Sequence, residues 1–587
     1  MSRARRARLP ATLFLFAAAL APALLRAQDP CAGTAAGSSC DVVLDFSPAE
    51  AAAHPDPYRD LEVYAELRSP RFTTYRIPAF WDGGQKMILR LTPIVDGLWT
   101  YRISGGLSTL NGAERSFQST PSNFPGFVHA ANVHHWQTAN KKAHLWLADI
   151  ADRLAFVPRA QFDARLAQTV KDKFTHLRLS LLGNAGDRSL VFENGRPNID
   201  FFHELDRRIR AINAFGITAD LLLADTPADL VALTPDAASR RLLLRFLAGR
   251  YAPFNVTWEG FREFENYPGS RALLKELGDE LKQFDGYQHP RSTGALRTSA
   301  PLLNDGWMTF IIERNTEPGD DALAQIEHQL YAVPFIGITT AKRLWDATAD
   351  GQYPMFEGRE QFEAKIWYDF ISDSRHWELE PYYYVDGGRA IALEGVEYIL
   401  FIDHPGPPVE IEVEKHSYDV AWLNPLTGET QWEKKKYHGE HYTGQPPDNS
   451  HPWVLRVSRE GEKESMLQSY YFESKDIAMQ EVEGNPDKLV YQITQPSADT
   501  LPTGKPIPFE AHLTRQSRAT RTMLYLWTGE VPGEGDGFRV LATGAQGEFT
   551  IPPHLGVHYP ANMILRLYGL NANGKLYEVD RGYGLSQ

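Results

Sequence analysis

The chain has 587 residues, which is too long for one hydrophobic core, so two to four domains are expected. Its composition is that of a globular protein, with 43% hydrophobic and 23% charged residues. A net charge of −14 argues against nucleic acid and anionic membrane surfaces as the main partner, because both require a basic face.

The first 27 residues have the features of a secretory signal. Arginines at positions 3, 5, 6 and 8 precede an apolar, Ala/Leu-rich stretch over residues 9–25, and Leu25-Arg26-Ala27 supplies a cleavage site. The apolar stretch is too short and too early for a membrane span. These features predict an exported protein, secreted or periplasmic, without an integral membrane segment after cleavage near Ala27.

Residues 40–127 are predicted to form an all-β domain. Residues 41–46 and 61–67 alternate between apolar and polar with the period of two expected of half-buried strands. Trp81-Asp82-Gly83-Gly84 is a strong turn signal between two further strands. An immunoglobulin-like β-sandwich is the economical interpretation. At its start, Cys31 and Cys40 are the only cysteines, and after export a disulfide between them is the better prediction.

Residues 128–385 are predicted to alternate between strands and helices. Apolar runs are followed by segments with apolar residues at helical spacing. About eight such units over roughly 250 residues predict a (β/α)₈ barrel, the TIM-barrel fold. The predicted strands lie at 143–149, 174–182, 217–225, from 254 onward, and at 291–293, 307–313, 333–339 and 351–355.

The remaining residues are predicted to be rich in β-structure, with a small β-domain over 386–470 and a β-sandwich over 471–587. Short strands are expected at 398–402, 409–413 and 418–422 in the first of these, and at 523–527 and 563–567 in the second.

Carboxylates follow several of the predicted barrel strands. In a barrel, the carboxyl ends of the strands form the rim on which catalytic groups gather. Glycoside hydrolysis generally needs two carboxyl groups, one donating a proton and the other attacking or activating water. Glu263 is the first candidate for the proton donor, with a glycoside as the candidate substrate; a solvated loop edge is the alternative. The acids at or just beyond predicted strand ends are Asp149, Asp225, Glu263, Glu265 and Glu313.

The sequence resembles two known families. Phe80-Trp81-Asp82-Gly83, Arg90 and Gly97-Leu98-Trp99-Thr100 look like the DUF5060 sandwich that precedes many apiosidase-like glycosidase barrels. The following region is similar to the DUF4038 (apiosidase-like) barrel, which implies a glycosidase with catalytic acids after strands four and seven. The residues that carry this second resemblance include Leu145-Trp146-Leu147-Ala148-Asp149, Arg178, Asn255-Val256-Thr257-Trp258, Glu263 and His289-Pro290-Arg291.

The sequence departs from that pattern at strand seven. The resemblance implies a nucleophile about five residues after a proline, but Pro334-Phe335-Ile336-Gly337-Ile338-Thr339-Thr340 contains no carboxylate. Glu313, after strand six, is therefore predicted to be the second catalytic carboxylate beside Glu263, and Glu357, after strand eight, is the alternative. Arg262 also stands where Asn or Gly is more usual, and it would lower the pKa of Glu263 if the two side chains met.

Five residues are predicted to bind substrate, and each has a structural alternative. A buried ion pair is the alternative for the arginine, a loop cap for the aspartates, strand–helix packing for the tryptophan and a rim position without ligand contact for the histidine. These residues are Asp149, Arg178, Asp225, Trp258 and His289.

No metal and no cofactor is expected. His134-His135 and His176 do not have the spacing of a metal-ligand set. No Gly-x-Ser-x-Gly motif or Gly-rich phosphate loop is present, which disfavours esterases and nucleotide enzymes.

The predicted function is that of a secreted glycoside hydrolase acting on a poly- or oligosaccharide. The alternatives are a catalytically degenerate barrel that binds carbohydrate without turnover and a surface scaffold that binds no sugar.

Overall fold

The computed structural model describes residues 29–357, 362–459, 483–484, 491–513, 523–532, 539–553 and 561–586. The predicted signal segment, residues 1–27, lies outside the described residues. Within those described ranges, no helix is both long and apolar enough to cross a membrane.

The amino-terminal part consists of two antiparallel sheets, one of three strands and one of four. Cys31 and Cys40 form a disulfide, with their Cα atoms 5.3 Å apart. Gly83 and Gly84 both have positive φ angles in the predicted turn, which explains the use of glycine there. Two short helices, Pro48–Ala53 and Pro57–Asp60, join the first two strands. The strands are Cys40–Leu44, Val63–Arg68, Thr74–Pro78, Phe80–Trp81, Met87–Leu91, Gly97–Gly105 and Glu114–Ser119.

A β-hairpin, Val128–Ala131 with His135–Thr138, connects these sheets to the barrel. Trp136 of the hairpin is fully buried, and its ring centroid lies 4.6 Å from that of Trp146 and 5.4 Å from that of Phe310. Because Trp146 and Phe310 each precede a barrel strand, the hairpin lies at the amino-terminal end of the barrel.

Eight parallel strands form the predicted barrel. The ladder is continuous except between the fifth and sixth strands, where an isolated bridge from Thr298 to Glu313 and a hydrogen bond from the Thr309 N–H to the Arg291 carbonyl make the contact. The barrel is therefore nearly closed. In chain order, the first to eighth barrel strands are Ala148–Ile150, His176–Ser180, Thr218–Leu222, Val256–Glu259, Arg291–Ser292, Ile311–Asn315, Phe335–Thr339 and Tyr353–Phe356.

Helices surround the barrel and cover the outer face of its strands. Their inner faces are apolar at a spacing of three and four residues, as Leu274, Leu277 and Leu281 show in the helix after strand four. Between strands five and six the chain forms only the short 3₁₀ segment Ala300–Asp305. The helices are Arg159–Lys171, Arg188–Val191, Ile199–Ala214, Pro227–Leu233, Ala237–Tyr251, Ser270–Phe284, Asp320–Leu330, Leu344–Ala349 and Phe362–Ser372.

The sheet that follows the barrel differs from the prediction in two respects. Its first strand, Glu380–Tyr382, pairs with Arg389–Leu393 and so begins before residue 386. The two short strands predicted at 409–413 and 418–422 form one strand, Val409–Leu423, with a register shift between Glu412 and His416. No Gly or Pro lies between the two halves, so the break in alternation is a bulge and not a turn. The other strands are Val385–Asp386, Glu397–Ile402, Thr430–Trp432, Tyr437–Gly444 and Trp453–Arg459.

The carboxyl-terminal part is also built from β-sheets, with a separate apolar core around Trp527, Leu565 and Leu567. Part of the domain predicted over 471–587 lies outside the described residues. Its described strands are Glu483–Gly484, Tyr491–Gln495, Thr500–Pro502, Pro506–Leu513, Leu524–Glu530, Arg539–Thr543, Gln546–Thr550, Asn562–Leu570 and Leu576–Ser586.

Candidate active site

Glu263 lies on the loop that leaves the fourth barrel strand. The strand ends at Glu259, and the chain turns outward through Gly260, where a Cβ atom would lie 2.3 Å from Cδ2 of Leu274. A larger residue at this position would require the side chains of Leu274 and Thr293 to shift. The Glu263 side chain is 37% exposed and its Oε2 accepts a hydrogen bond of 2.8 Å from Nδ2 of Asn266. Glu263 is therefore at the mouth and open to solvent.

Arg314 joins Glu263 to a second carboxylate. Its Nη2 lies 3.4 Å from Oε1 of Glu263, and its Nη1 lies 2.9 Å from Oε2 of Glu357. The backbone N–H of Glu357 donates a hydrogen bond of 2.7 Å to the carbonyl of Thr339, the last residue of the seventh strand. The acid of the strand-eight loop thus lies beside the end of strand seven, where the sequence itself has no acid.

A buried charge cluster lies below this pair, inside the barrel. The Arg178 guanidinium donates to both carboxylate oxygens of Asp152, at 2.8 and 2.9 Å, and to Oε2 of Glu259 at 3.4 Å. Burial raises the pKa of Glu259 to about 8, against the opposing effect of Arg178. Burial likewise raises the pKa of Asp220 to about 7, although Thr257 donates a hydrogen bond of 2.7 Å to it.

Arg262 pairs with aspartates and not with Glu263. Its Nε lies 2.9 Å from Oδ2 of Asp152, and its Nη2 lies 3.5 Å from Oδ2 of Asp225. Arg262 therefore connects the loops that follow the first and third barrel strands. The expectation that it would act on Glu263 depended on the two side chains meeting, and no ion pair joins them.

Glu313, the predicted second carboxylate, does not reach the mouth. Its side chain is fully buried on the face of the sixth strand that packs against the helix Asp320–Leu330, where it accepts a hydrogen bond from Gln352. Burial and the neighbouring Glu327 carboxyl raise the pKa of Glu313 well above its usual value. Since the strand runs to Asn315, Glu313 faces outward and Arg314 faces inward.

Three of the five predicted substrate-binding residues are also placed elsewhere. Asp149 faces the helix Arg159–Lys171, where it accepts a hydrogen bond of 2.8 Å from Thr169. The buried Trp258 indole donates a hydrogen bond of 3.0 Å to Asp285. His289 is buried at the amino end of the fifth strand, with Nδ1 3.0 Å from the same aspartate.

The remaining two, Arg178 and Asp225, lie at or just below the mouth. Sequence reasoning did not assign a role to Asp152, Glu259 or Arg314, which complete the cluster. Alternation is the signal that could have found Glu259, because Val256-Thr257-Trp258-Glu259 alternates between apolar and polar residues and places Glu259 on the same inward face as Thr257.

Comparisons with known proteins agree with this architecture. DUF5060, a domain of unknown function, matches residues 40–105. No curated protein matches the chain. A solved structure of a candidate glycoside hydrolase from Bacteroides vulgatus has a TM-score of 0.61 at 15% identity, over 73% of this chain and 99% of that chain. Another, named glycoside hydrolase, has a TM-score of 0.50 at 13% identity, over 57% and 97%. Residues 40–105 thus form a DUF5060 domain in front of a barrel that shares its fold with these structures.

Proposed function

We propose that this protein is an exported glycoside hydrolase that acts on a poly- or oligosaccharide through Glu263 and Glu357. The observation that carries the proposal is that both carboxylates contact one guanidinium, that of Arg314, at the carboxyl-terminal mouth of the barrel. Active sites of TIM barrels lie at this end. The fold likeness to glycoside hydrolases supports the choice of reaction. Export rests on the arginine-rich and apolar residues 1–27.

The roles follow from the two positions. Glu263, after strand four, donates the proton to the leaving oxygen, and Glu357, beside the end of strand seven, attacks the sugar or activates water. Arg314 holds the two carboxylates near each other in the free protein. The Arg178, Asp152 and Glu259 cluster forms the buried floor beneath them.

The finer assignment to the DUF4038 (apiosidase-like) barrels is part of the proposal. It is supported by Arg178 on the second strand and by the position of Glu263 five residues after Trp258. It is opposed by Thr339, which ends strand seven without an acid.

A glycan panel with carboxylate variants tests the proposal. The wild type is expected to release reducing sugar from at least one glycan, and Glu263→Gln and Glu357→Gln each to lose roughly 100-fold or more in turnover. Glu429→Gln, at an exposed turn of the following sheet, is the matched control and should keep full turnover. Activity is normalised to folded protein, measured by circular dichroism.

Glu313→Gln distinguishes the two assignments of the second carboxylate. If folded Glu313→Gln loses roughly 100-fold or more in turnover and Glu357→Gln stays active, Glu313 is the second catalytic carboxylate. Full activity in both Glu263→Gln and Glu357→Gln would end the proposal.

Carbohydrate binding without turnover is the second candidate function. It is favoured by Thr339 and by Arg262, which stands where Asn or Gly is more usual and whose ion pairs engage Asp152 and Asp225 at the mouth. Wild-type protein that binds a glycan and releases no sugar would support this function. If the wild-type protein binds no glycan in the panel, the remaining alternative is a surface scaffold that binds no sugar.

A further inference from the structure

A second polar cluster lies at the opposite end of the barrel from the mouth. His134 is in the hairpin that lies at this end, His328 is in the last turn of the helix Asp320–Leu330, and Glu380 begins the sheet that follows the barrel. One nitrogen of each histidine and a carboxylate oxygen of Glu380 all lie within 4.8 Å of one another. Three separate parts of the fold thus meet at one point.

The distances between these atoms are those of ligands around one ion. Nδ1 of His134 lies 3.1 Å from Oε2 of Glu380, and Nε2 of His328 lies 3.3 Å from the same oxygen. Nitrogen and oxygen ligands bound tetrahedrally to zinc at about 2.0–2.2 Å are about 3.3–3.5 Å apart. Small inward or outward movements of the side chains would accommodate the ion.

The hydrogen-bond pattern leaves acceptors facing each other. Nε2 of His134 lies 3.0 Å from the carbonyl of Tyr331, which can only accept, so this nitrogen carries the hydrogen. In the neutral ring, Nδ1 then presents a lone pair to Glu380. Nε2 of His328 is buried and forms no hydrogen bond with any described residue. A cation would satisfy the lone pair of His134, the unpartnered nitrogen of His328 and the carboxylate of Glu380 at once.

Neighbouring residues orient the cluster as outer-shell residues do in metal sites. The Tyr331 carbonyl fixes the tautomer of His134. His135 lies with Nε2 3.2 Å from Oε1 of Glu380 and with Nδ1 2.8 Å from the Tyr353 hydroxyl, which leaves Oε2 for the ion. At Gly351, a Cβ atom would lie 2.6 Å from Nε2 of His328, so glycine keeps the space beside this nitrogen open.

We propose that His134, His328 and Glu380 bind one divalent transition-metal ion, with Zn²⁺ as the best match. Two imidazoles and a carboxylate suit zinc, whereas Ca²⁺ and Mg²⁺ prefer oxygen ligands alone. The ion ties the hairpin, the barrel helix and the following sheet together. Its role is structural, because this end of a TIM barrel serves stability and the mouth serves catalysis. The sequence expectation of no metal rested on local spacing, and these residues are far apart in the chain.

Metal titration of the full, untagged chain tests the proposal. After dialysis against a chelator, the wild type is expected to bind one Zn²⁺ per chain, and to give with Co²⁺ the visible absorption of a nitrogen-ligated, low-coordination site. His328→Gln and Glu380→Gln should weaken binding at least 100-fold. His404→Gln, whose side chain is 94% exposed, is the matched control and should bind as the wild type does.

Folding is followed separately so that a loss of structure is not mistaken for a loss of ligands. Zn²⁺ should raise the thermal midpoint of the wild type and of His404→Gln, and should leave that of folded His328→Gln unchanged. If both ligand variants fail to fold, the Co²⁺ spectrum of the wild type and the shift of its thermal midpoint with Zn²⁺ still show whether the metal site exists. Absence of stoichiometric binding by the wild type, or unchanged affinity in folded His328→Gln, overturns the proposal.

Discussion

Glu259 is a carboxyl group held inside the barrel. Its side chain is fully buried, its Oε1 has no hydrogen-bond partner among the described residues, and its Oε2 lies 3.4 Å from Arg178. Burial raises its pKa from 4.5 to about 8. At neutral pH the folded protein therefore keeps a proton on Glu259 that the unfolded chain has released.

This proton predicts a pH dependence of stability. Between pH 4.5 and about pH 8 the folded state binds more protons than the unfolded state, so the contribution of Glu259 to the free energy of unfolding falls as pH rises. Glu259→Gln removes this titration. The free energy of unfolding of the variant minus that of the wild type should therefore increase between pH 5 and pH 8, by on the order of 1–3 kcal/mol.

Urea unfolding at pH 5, 6.5 and 8 measures the difference. Glu429→Gln, at an exposed turn, is the control and should follow the wild type at each pH. Parallel curves for Glu259→Gln and the wild type would contradict the buried, protonated state.

Side chains alternate between the two faces of a strand, and this alternation decides which residues of a barrel strand point into the site. Residues 307–312 are apolar apart from Thr309, so the sequence does not show which side chains of this strand face inward. The sequence predicts a strand that ends at Glu313, but the strand continues to Asn315, with Arg314 directed to the mouth and Glu313 to the helix layer. The position of Glu263 does not depend on this alternation, because the residue lies on the loop after the fourth strand.

At the scale of elements, the helix Ser270–Phe284 packs unusually close to Trp307. A Cβ atom on Gly278 would lie 2.3 Å from Cδ2 of Trp307, which is 2% exposed. The glycine lowers helix propensity but lets the indole lie against the helix backbone. Packing and propensity therefore make opposite demands at this position.

Gly278→Ala is expected to destabilise the protein by about 1–3 kcal/mol, because overpacking against a rigid buried ring outweighs a propensity gain of about 1 kcal/mol. Asp279→Ala, on the exposed face of the same helix, is the control and should change stability by less than about 0.5 kcal/mol. Chemical denaturation gives both values. A more stable Gly278→Ala variant would show that Trp307 can move at little cost.

Most barrel elements could be predicted from sequence because their signals are local. The helix Ser270–Phe284 has apolar residues at helical spacing, so the sequence itself indicates a helix there. The sequence predicts two strands where the structure has Val409–Leu423, because a bulge interrupts alternation in the same way as a turn does. Contacts between elements have no local sequence pattern, because they join residues that are distant in the chain. Examples are the contact of Gly278 with Trp307 and the contacts of Arg314 with Glu263 and Glu357.

At the scale of the whole molecule, the amino-terminal sheets and the barrel share one apolar core. A buried ion network crosses this interface. The guanidinium of Arg90 contacts two aspartates: its Nε lies 2.7 Å from Asp41, and its Nη2 lies 2.9 Å from Asp206 of a barrel helix. Its Nη1 donates a hydrogen bond to the Arg250 carbonyl. Arg250 in turn pairs with Asp206 and, across the interface, with Asp82. The sheets and the barrel should therefore unfold together.

Arg90→Ala is expected to lower the free energy of unfolding by about 3–5 kcal/mol, because it removes one partner from a buried network and leaves the Arg250 carbonyl and the aspartates less well satisfied. Arg210→Ala is the matched control: this arginine also contacts Asp41, but its side chain is 40% exposed, so the loss should stay below about 1 kcal/mol.

Hydrogen exchange reports whether the amino-terminal sheets and the barrel unfold as one unit. In Arg90→Ala, the strands Gly97–Gly105 and His176–Ser180 should lose protection by the same factor. Loss confined to Gly97–Gly105 would show that the amino-terminal sheets unfold independently of the barrel.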